Sequence, residues 1–290
     1  MNSNISYRKN AKLVTKNKQK YIYKIKRKDK TNIYNYLKSK DFQNYLPYTE
    51  LTNEYEVYRY INDNLTQKED KAIELVYTLS MLHIKTTIYQ EIDIDKTKEI
   101  YENTKSKIND LRIYYLDLQD YIETKVYMSP AEYLLMKNIS KFYKSLNYAE
   151  QKIDMWYQEK TKLKKERLVQ LHNNIKLEHF LVEDIPYFIS WDKSERGLVV
   201  FDFLNFYQNE YQELEMSSLF DIYQSKYRFS PDELLLFQAL LAIPTKVTFE
   251  KTNYINTLEV KKRVEYIEKT NKFLSKYYEK NQKSNDEKFE

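Results

Sequence analysis

The sequence of 290 residues contains no cysteine and a single glycine, Gly197. Without cysteine there can be no disulfide framework, no thiolate zinc site and no cysteine nucleophile. A metal ligand must therefore be an oxygen atom or one of the three histidines, His83, His172 and His179. Glycine lets the backbone approach a phosphate closely, and the phosphate-binding motifs of P-loop NTPases and Rossmann dehydrogenases each need more than one. The sequence excludes both classes.

Long apolar segments are also missing. The longest uncharged run, residues 234–245, is too short to span a bilayer, and the first ten residues lack the apolar core of a signal peptide. Hydrophobic residues make up 42% of the chain and charged residues 31%, which is typical of a folded globular protein. We expect a cytoplasmic protein.

Charge is distributed unevenly along the chain. The segment from Arg8 to Lys30 has eleven basic residues and one acid, a local charge of +10, so the rest of the chain carries −5. This segment predicts a patch for an anionic partner such as a nucleic acid or a nucleotide. The alternative interpretation is that its lysines are the outward positions of a solvated hairpin.

The first sixty residues predict a small β-rich N-lobe over residues 1–62. Apolar and polar side chains alternate in residues 11–15 and 20–26, on either side of a polar turn, which is typical of a hairpin. A short helix is expected over residues 31–41. Aromatic and β-branched residues then predict a strand pair within residues 45–61.

From residue 63 to 280 the pattern predicts a mainly helical C-lobe, followed by a disordered tail over residues 281–290. Capping-box patterns place helix starts near residues 67, 130, 148 and 231. Two further helices are expected from their apolar stripes, over residues 95–124 and 258–278. Short apolar runs predict strands at residues 168–171, 180–182 and 187–191.

The segment that joins these short strands resembles the aminoglycoside phosphotransferase and choline kinase superfamily, including its spore-coat kinase-like branch. That superfamily has a loop of pattern H-x-D-x-x-x-x-N, then a strand ending in Asp and an aromatic residue, then a Gly before a later Asp. This chain has HNNIKLEH at residues 172–179, ISWD at residues 189–192, Gly197 and Asp202. The resemblance implies a protein-kinase-like, two-lobed α+β fold with a reduced N-lobe.

The resemblance also shows what this chain has replaced. The catalytic Asp of the superfamily falls on Asn174 and its metal-ligating Asn on His179, both in the loop that begins at His172. Its second metal-ligating Asp falls on Ser190, at the end of the next strand. Asn174 cannot take a proton near neutral pH, and Mg²⁺ prefers carboxylate, carbonyl or water oxygen to imidazole. Asp192 is the candidate substitute metal ligand because it lies two positions after Ser190, on the same face of an extended strand.

Nucleotide binding is expected from the resemblance to use a strand lysine, and alternation leaves Lys24 and Lys26 as equal candidates. The acidic helix residue that usually pairs with such a lysine is not evident before Glu50. The turn at residues 16–19 lacks the glycine of a phosphate-covering loop, and too few residues precede it for a complete five-stranded lobe.

The remaining retained positions are expected to be structural. His172 and Asp202 should hold the loop, and Trp191 and Gly197 should support it. His83, near the end of a predicted helix, is expected to be a buried hydrogen-bonding residue.

These observations predict a phosphotransferase-like protein without catalytic activity, a pseudokinase, that acts by binding a ligand or a partner. ATP with Mg²⁺ is the cofactor that the resemblance implies. One alternative is an active small-molecule phosphotransferase that uses Asp192 for its metal. The other is a helical adaptor with no ligand site.

Overall fold

The structure, a computed structural model, describes residues 5–8 and 11–286. Its backbone divides into two compact units: unit 1 is formed by Met1–Ile88 with Arg167–Arg228, and unit 2 by Tyr89–Glu166 with Phe229–Glu290. Both sheets and helices are present, so the predicted α+β class is confirmed. The predicted lobe boundary at residues 62 and 63 stays a prediction.

A five-stranded antiparallel sheet forms the first part of unit 1. Its strands are β1 (Ile5–Arg8), β2 (Ala11–Lys16), β3 (Gln19–Ile25), β4 (Glu50–Leu51) and β5 (Tyr55–Arg59), in the spatial order β1-β2-β3-β5-β4. Helix α1 (Thr31–Ser39) connects β3 to β4. The predicted hairpin is β2–β3, closed by Asn17 and Lys18 with φ of 49° and 65°. Such positive φ values match the twist of a two-residue hairpin turn.

The expectation of an incomplete sheet was wrong, because residues before the hairpin supply the fifth strand. Strand β1 pairs with β2 from Ile5 opposite Val14 to Arg8 opposite Ala11. Only four residues long, β1 is too short to give a clear alternating pattern.

The second part of unit 1 begins with α2 (Lys68–Thr86) and resumes after the chain returns from unit 2. It includes β8 (Phe180–Val182), β9 (Pro186–Phe188), β10 (Glu195–Gly197), α5 (Val200–Glu210) and α6 (Met216–Lys226). Strands β6 (Ile88–Glu91) and β7 (Lys165–Leu171) lie where the chain passes between the units, and β7 is the middle strand of a sheet in the order β10-β7-β6. The loop after β7 carries the residues of the candidate site.

Unit 2 is helical, with a core between long amphipathic helices. It contains α3 (Ile94–Glu123), α4 (Pro130–Lys160), α7 (Pro231–Ala242) and α8 (Asn253–Asp286). Leu135, Phe142 and Ile153 of α4 are fully buried. Packing of such stripes, more than helix propensity, stabilises helices in water.

Two of the four predicted helix starts have the expected capping box. At Ser129 and Ser230 the serine and the glutamate three residues later cap each other's backbone N–H groups, and proline occupies the first turn. Helix α2 begins at Lys68 without a side-chain cap. The predicted start near residue 148 was wrong: Asn147 lies inside α4, because the capping pattern also occurs by chance within a continuous helix.

Helix α8 continues to Asp286, so the predicted tail is helical over residues 281–286, and residues 287–290 lie outside the described part. Among the described residues, no helix is long and apolar enough to cross a membrane.

Candidate functional site

The loop after β7 is fixed by one buried carboxylate. Asp202, in the first turn of α5, is fully buried and accepts hydrogen bonds from the backbone N–H groups of His172 and Asn173, at 2.8 and 2.7 Å. Hydrogen bonds to a carboxylate are among the strongest in proteins. Asp202 therefore determines the path of the chain into the loop.

His83 also contacts the carboxylate of Asp202. Its Nε2 lies 3.1 Å from Asp202 Oδ2, and its Nδ1 lies 2.6 Å from the hydroxyl of Tyr223 on α6. His83 is fully buried, so its prediction as a buried hydrogen-bonding residue is confirmed.

His172 is also fully buried and serves the loop as a neutral ring. Its Nε2–H donates to the carbonyl of Ile189 at 2.9 Å, and its ring packs edge-on against Trp191 with 4.6 Å between the ring centroids. Burial lowers the pKa of His172 to about 4, more than the charge of Asp202 raises it. A neutral, enclosed imidazole cannot exchange protons with a bound ligand at neutral pH.

Trp191 and Gly197 pack beneath the loop. Trp191 is buried and donates from Nε1 to the carbonyl of Phe188 at 3.0 Å. Gly197 lies in β10 opposite Val169, where a Cβ atom would lie 2.7 Å from Cδ1 of Leu171. The backbone approaches Leu171 too closely for any larger residue without a shift in the core.

The three positions predicted for chemistry lie together. His179 Nδ1–H donates to the backbone carbonyl of Asn174 at 2.9 Å, and the side-chain amide of Asn174 lies 3.5 Å from the carbonyl of Ser190. Ser190 has φ of 67°, a left-handed conformation that costs a residue other than glycine, asparagine or aspartate about 1 kcal/mol. These three positions thus present an amide, an imidazole and a hydroxyl, and none of the three carries a carboxylate.

The carboxylate of Asp192, two residues after Ser190, is bound by two lysines. Lys24 of β3 places Nζ 2.9 Å from Asp192 Oδ2 and 3.3 Å from Ser190 Oγ. Lys30, immediately before α1, places Nζ 2.9 Å from Asp192 Oδ1. Of the two lysines predicted to bind nucleotide, Lys24 is the one that makes this ion pair, and Lys26 lies just beyond the end of β3.

Lys30 is held in place by a second carboxylate. Its Nζ lies 2.7 and 2.6 Å from the two oxygens of Glu56, which also accepts from the hydroxyl of Tyr58 at 2.9 Å. Lys30 and Glu56 are 2% and 1% exposed, whereas Asp192 is 19% exposed. We call Lys24, Lys30, Glu56 and Asp192 the Asp192 cluster.

Sequence reasoning missed Lys30 and Glu56, although one signal was available. Glu56 lies directly opposite Lys24 in the β3–β5 register, so pairing the two strands brings it near a lysine. The acidic helix residue expected to pair with a strand lysine is not evident before Glu50, and Glu56, on β5, pairs instead with Lys30.

Two opposing effects set the pKa of Asp192. Burial raises the pKa, but the ammonium groups of Lys30 and Lys24 lower it by more than burial raises it, so that the pKa of Asp192 is about 2. Asp192 is therefore ionised throughout the physiological range, and both of its oxygens are already engaged by positive charge.

A magnesium ion does not fit the side chains present here. Magnesium requires several oxygen ligands, usually including carboxylates, but Ser190 offers a neutral hydroxyl and Asp192 is neutralised by ammonium. His179 offers nitrogen, which suits magnesium poorly. In the part of the chain that the structure describes, no three His, Asp or Glu side chains converge on a metal-sized space.

A groove of about 470 Å³ lies beside the loop within unit 1. Charged and polar side chains line it together with two apolar ones: Asn173, Lys193, Glu195, Phe201, Leu204, Asn205 and Gln208. Asn173 is oriented into this wall by a hydrogen bond from its amide to Glu195 at 2.9 Å.

In the basic segment from Arg8 to Lys30, of which residues 9 and 10 lie outside the described part, β2 and β3 form a hairpin with exposed lysines at its turn. Lys24 and Lys30 of this segment belong to the Asp192 cluster. Three of its lysines extend over tyrosine rings at 5.0 to 5.5 Å: Lys12 over Tyr55, Lys16 over Tyr23 and Lys20 over Tyr60. That this segment binds an anionic partner stays a prediction.

By sequence, no protein-family model and no curated protein matches the chain. Solved structures do match its fold. An aminoglycoside phosphotransferase from Alicyclobacillus acidocaldarius has a TM-score of 0.72 at 11% identity, covering 96% of this chain and 92% of that one.

Two further structures agree. The AMP-bound complex of spectinomycin phosphotransferase has a TM-score of 0.55 at 14% identity, with 90% of each chain covered. A glucosamine kinase has a TM-score of 0.51 at 10% identity, covering 91% of this chain and 75% of that one. The chain therefore has the kinase-like fold of the aminoglycoside phosphotransferases, as its loop residues predicted.

Proposed function

We propose that this protein uses a phosphotransferase fold to bind a phosphate-bearing ligand and does not transfer phosphoryl groups. The observation that carries the proposal is the state of the Asp192 cluster. No carboxylate occupies positions 174, 179 and 190, and the carboxylate of Asp192, two residues after Ser190, forms ion pairs with two lysines.

Loss of transfer follows from the chemistry that phosphoryl transfer needs. Such transfer depends on metal-stabilised phosphates and on a group that orients or deprotonates the attacking hydroxyl. A positioned general base contributes roughly 10²- to 10⁴-fold to a rate, and Asn174 cannot supply that share. With no carboxylate at Ser190, the metal contribution is removed as well.

Retention of binding is supported by what the site has kept. Asp202 and His83 hold the loop in a fixed path, and Lys24 presents an ammonium group with 23% of its side chain exposed. The spectinomycin phosphotransferase of similar fold was solved with AMP bound. The groove at Asn173 gives a second compartment, with both charged and apolar walls, for the remainder of a ligand.

The experiment measures binding and turnover separately. Calorimetry with ATP, ADP and AMP should detect binding, and phosphorus NMR with ATP plus Mg²⁺ or Mn²⁺ should detect no product with aminoglycosides, amino sugars or choline as acceptors. Turnover that disappears in Asp192→Ala would establish the active phosphotransferase instead. Failure of every nucleotide to bind would favour an adaptor without a ligand site.

A restored variant provides the positive control. The triple substitution Asn174→Asp, His179→Asn and Ser190→Asp returns the three oxygen-bearing side chains that the resemblance implies. If the loop is aligned correctly, this variant should bind Mg²⁺ with nucleotide, which calorimetry can measure even if transfer is not regained. A variant that folds normally yet gains no metal binding would contradict the assignment of the three positions.

A further inference from the structure

The two oxygens of Asp192 receive two positive charges from the protein itself. Lys30 Nζ lies 2.9 Å from Oδ1 and Lys24 Nζ lies 2.9 Å from Oδ2. We propose that these two ammonium groups replace the divalent cation of the site. The chain then binds an uncomplexed phosphate ester, such as a free nucleoside diphosphate, and magnesium weakens that binding. This inference rests on the proposed function.

The charges of the Asp192 cluster are balanced. Two lysines face two carboxylates, and every carboxylate oxygen lies within 3 Å of an ammonium nitrogen. A divalent cation at Asp192 would have to compete with both ammonium groups for one carboxylate, and Lys30, which Glu56 holds in a buried position, would remain beside the cation and leave positive charge there unpaired. Burying an unpaired charge is far costlier than burying a paired one. The cluster therefore opposes metal binding.

Lys30 is the fixed member of the pair. Lys30 Nζ donates hydrogen bonds to both oxygens of Glu56 and forms an ion pair with Asp192 Oδ1 at 2.9 Å. With 2% exposure, it cannot reach a ligand. Its part is to neutralise Asp192 permanently, so that an incoming phosphate meets no net negative charge at that carboxylate.

Lys24 is the member that can contact a ligand. The structure gives it two acceptors, Asp192 Oδ2 and Ser190 Oγ, which leaves one of its three N–H donors for a phosphate oxygen. It is 23% exposed, in contrast to Lys30. A phosphate oxygen without a bound metal is the better acceptor for this donor, because chelation reduces the negative charge on the phosphates.

The test is a calorimetric titration of the full chain with ADP, in EDTA and again in excess Mg²⁺. ADP should bind in EDTA, and excess Mg²⁺ should weaken the binding. Lys24→Met should weaken the EDTA binding on the order of tenfold. Lys20→Met is the matched control, since Lys20 lies on the same strand and extends over Tyr60, and its affinity should equal that of the parent chain.

A second arm uses metal alone and a variant that gains a carboxylate. Mn²⁺ alone should give no binding heat with the parent chain. Ser190→Asp suits the left-handed backbone at this position and adds a second acid beside Lys24, so it should bind Mn²⁺ and make ADP binding dependent on metal.

Three outcomes overturn the inference: ADP binding that requires Mg²⁺, Mn²⁺ binding by the parent chain, or an unchanged affinity in Lys24→Met. None of these touches the proposal that phosphoryl transfer is lost, which fails only if ATP is turned over. ADP that fails to bind in either buffer overturns the inference together with the proposed ligand.

Discussion

Each unit of this protein contains a buried lysine between two carboxylates, but the two clusters differ in what surrounds the lysine. In unit 2, Lys160 lies 3.1 Å from Glu166 and 3.2 Å from Asp232, and all three side chains are at most 10% exposed. We call these residues the Lys160 cluster. In unit 1, Lys30 lies between Glu56 and Asp192, and Asp192 is 19% exposed and bound by a second lysine, Lys24.

This difference in exposure distinguishes a cluster with a structural role only from a cluster that can bind a ligand. The Lys160 cluster is closed by protein groups, since Ser230 donates to Asp232 at 2.5 Å and Gln90 donates to Glu166 at 3.3 Å. The Asp192 cluster has the same buried pair at its base and an additional, partly exposed ammonium group at its surface. A buried ion pair gives little net stability, and the exposed donor is what a ligand can use.

The largest expected effect is on stability, from removing either buried lysine. Lys160→Met leaves Glu166 and Asp232 buried without a cation and should cost about 3–5 kcal/mol of unfolding free energy. Lys30→Met should fall at the lower end of that range because Asp192 keeps Lys24. Urea unfolding measures both.

Lys162→Met is the matched control for these two variants. Lys162 pairs with Glu159 at 2.7 Å but is 67% exposed, so its loss should change stability by less than about 1 kcal/mol. A Lys30→Met variant as stable as this control would contradict the description of Lys30 as a buried counter-ion.

The next effect is acid destabilisation that starts in unit 1. The pKa of His172 is about 4 in the folded chain and about 6.5 when unfolded, so the unfolded state binds more protons between these values. Stability should therefore fall by about 3 kcal/mol as the pH drops through this window. Substituting His172→Asn should remove this dependence, and substituting His179→Asn should keep it.

The two tryptophans allow the units to be followed separately. Trp191 is buried in unit 1 and Trp156 in unit 2, and all three histidines belong to unit 1. In Trp156→Phe, fluorescence reports unit 1, and acid should shift its urea midpoint. An equal shift in Trp191→Phe, which reports unit 2, would mean that the two units unfold together.

A smaller effect belongs to Asp192 itself. Its pKa is about 2 when folded and 3.8 in the unfolded reference, so the stabilisation is present above pH 3.8 and is lost as the pH falls toward 2. The expected loss is about 2 kcal/mol. Asp192→Asn should be less stable than the parent chain at neutral pH and equally stable near pH 2, as measured by urea unfolding at each pH.

The smallest expected effect is that of Lys24→Met on stability. It is the most direct test of the difference between Lys24, which can contact a ligand, and Lys30, which has a structural role. Lys24 is partly exposed, so its ion pair should contribute only about 0–1 kcal/mol. The same substitution should weaken ligand binding strongly. A large loss of stability in this variant would place Lys24 with Lys30 as a structural residue.

The features that the sequence predicted correctly are those that depend on residues close together in the chain. The capping boxes at Ser129 and Ser230 involve residues three apart, and both start helices as predicted. Asn147 has the same spacing but lies within α4, because the packing of a long apolar stripe outweighs a single cap. Strand β1 was missed because four residues do not define an alternation.

At the candidate site too, short-range sequence patterns predicted only part of the arrangement. The resemblance assigned Asn174, His179 and Ser190 to one site, and hydrogen bonds connect His179 to Asn174 and Asn174 to Ser190. Alternation could not choose between Lys24 and Lys26, since residues two apart on a strand share a face. The choice was made by the position of Asp192, on a different part of the chain.

The sequence by itself determined the fold class, most of the helices and strands, and the absence of carboxylates at three loop positions, because each depends on residue identity and short-range spacing. Only the tertiary structure decided that Asp192 is neutralised by Lys24 and Lys30. That contact joins residues more than 160 positions apart. Its ionic balance depends on burial, which exists only when β3, α1, β5 and the loop pack together.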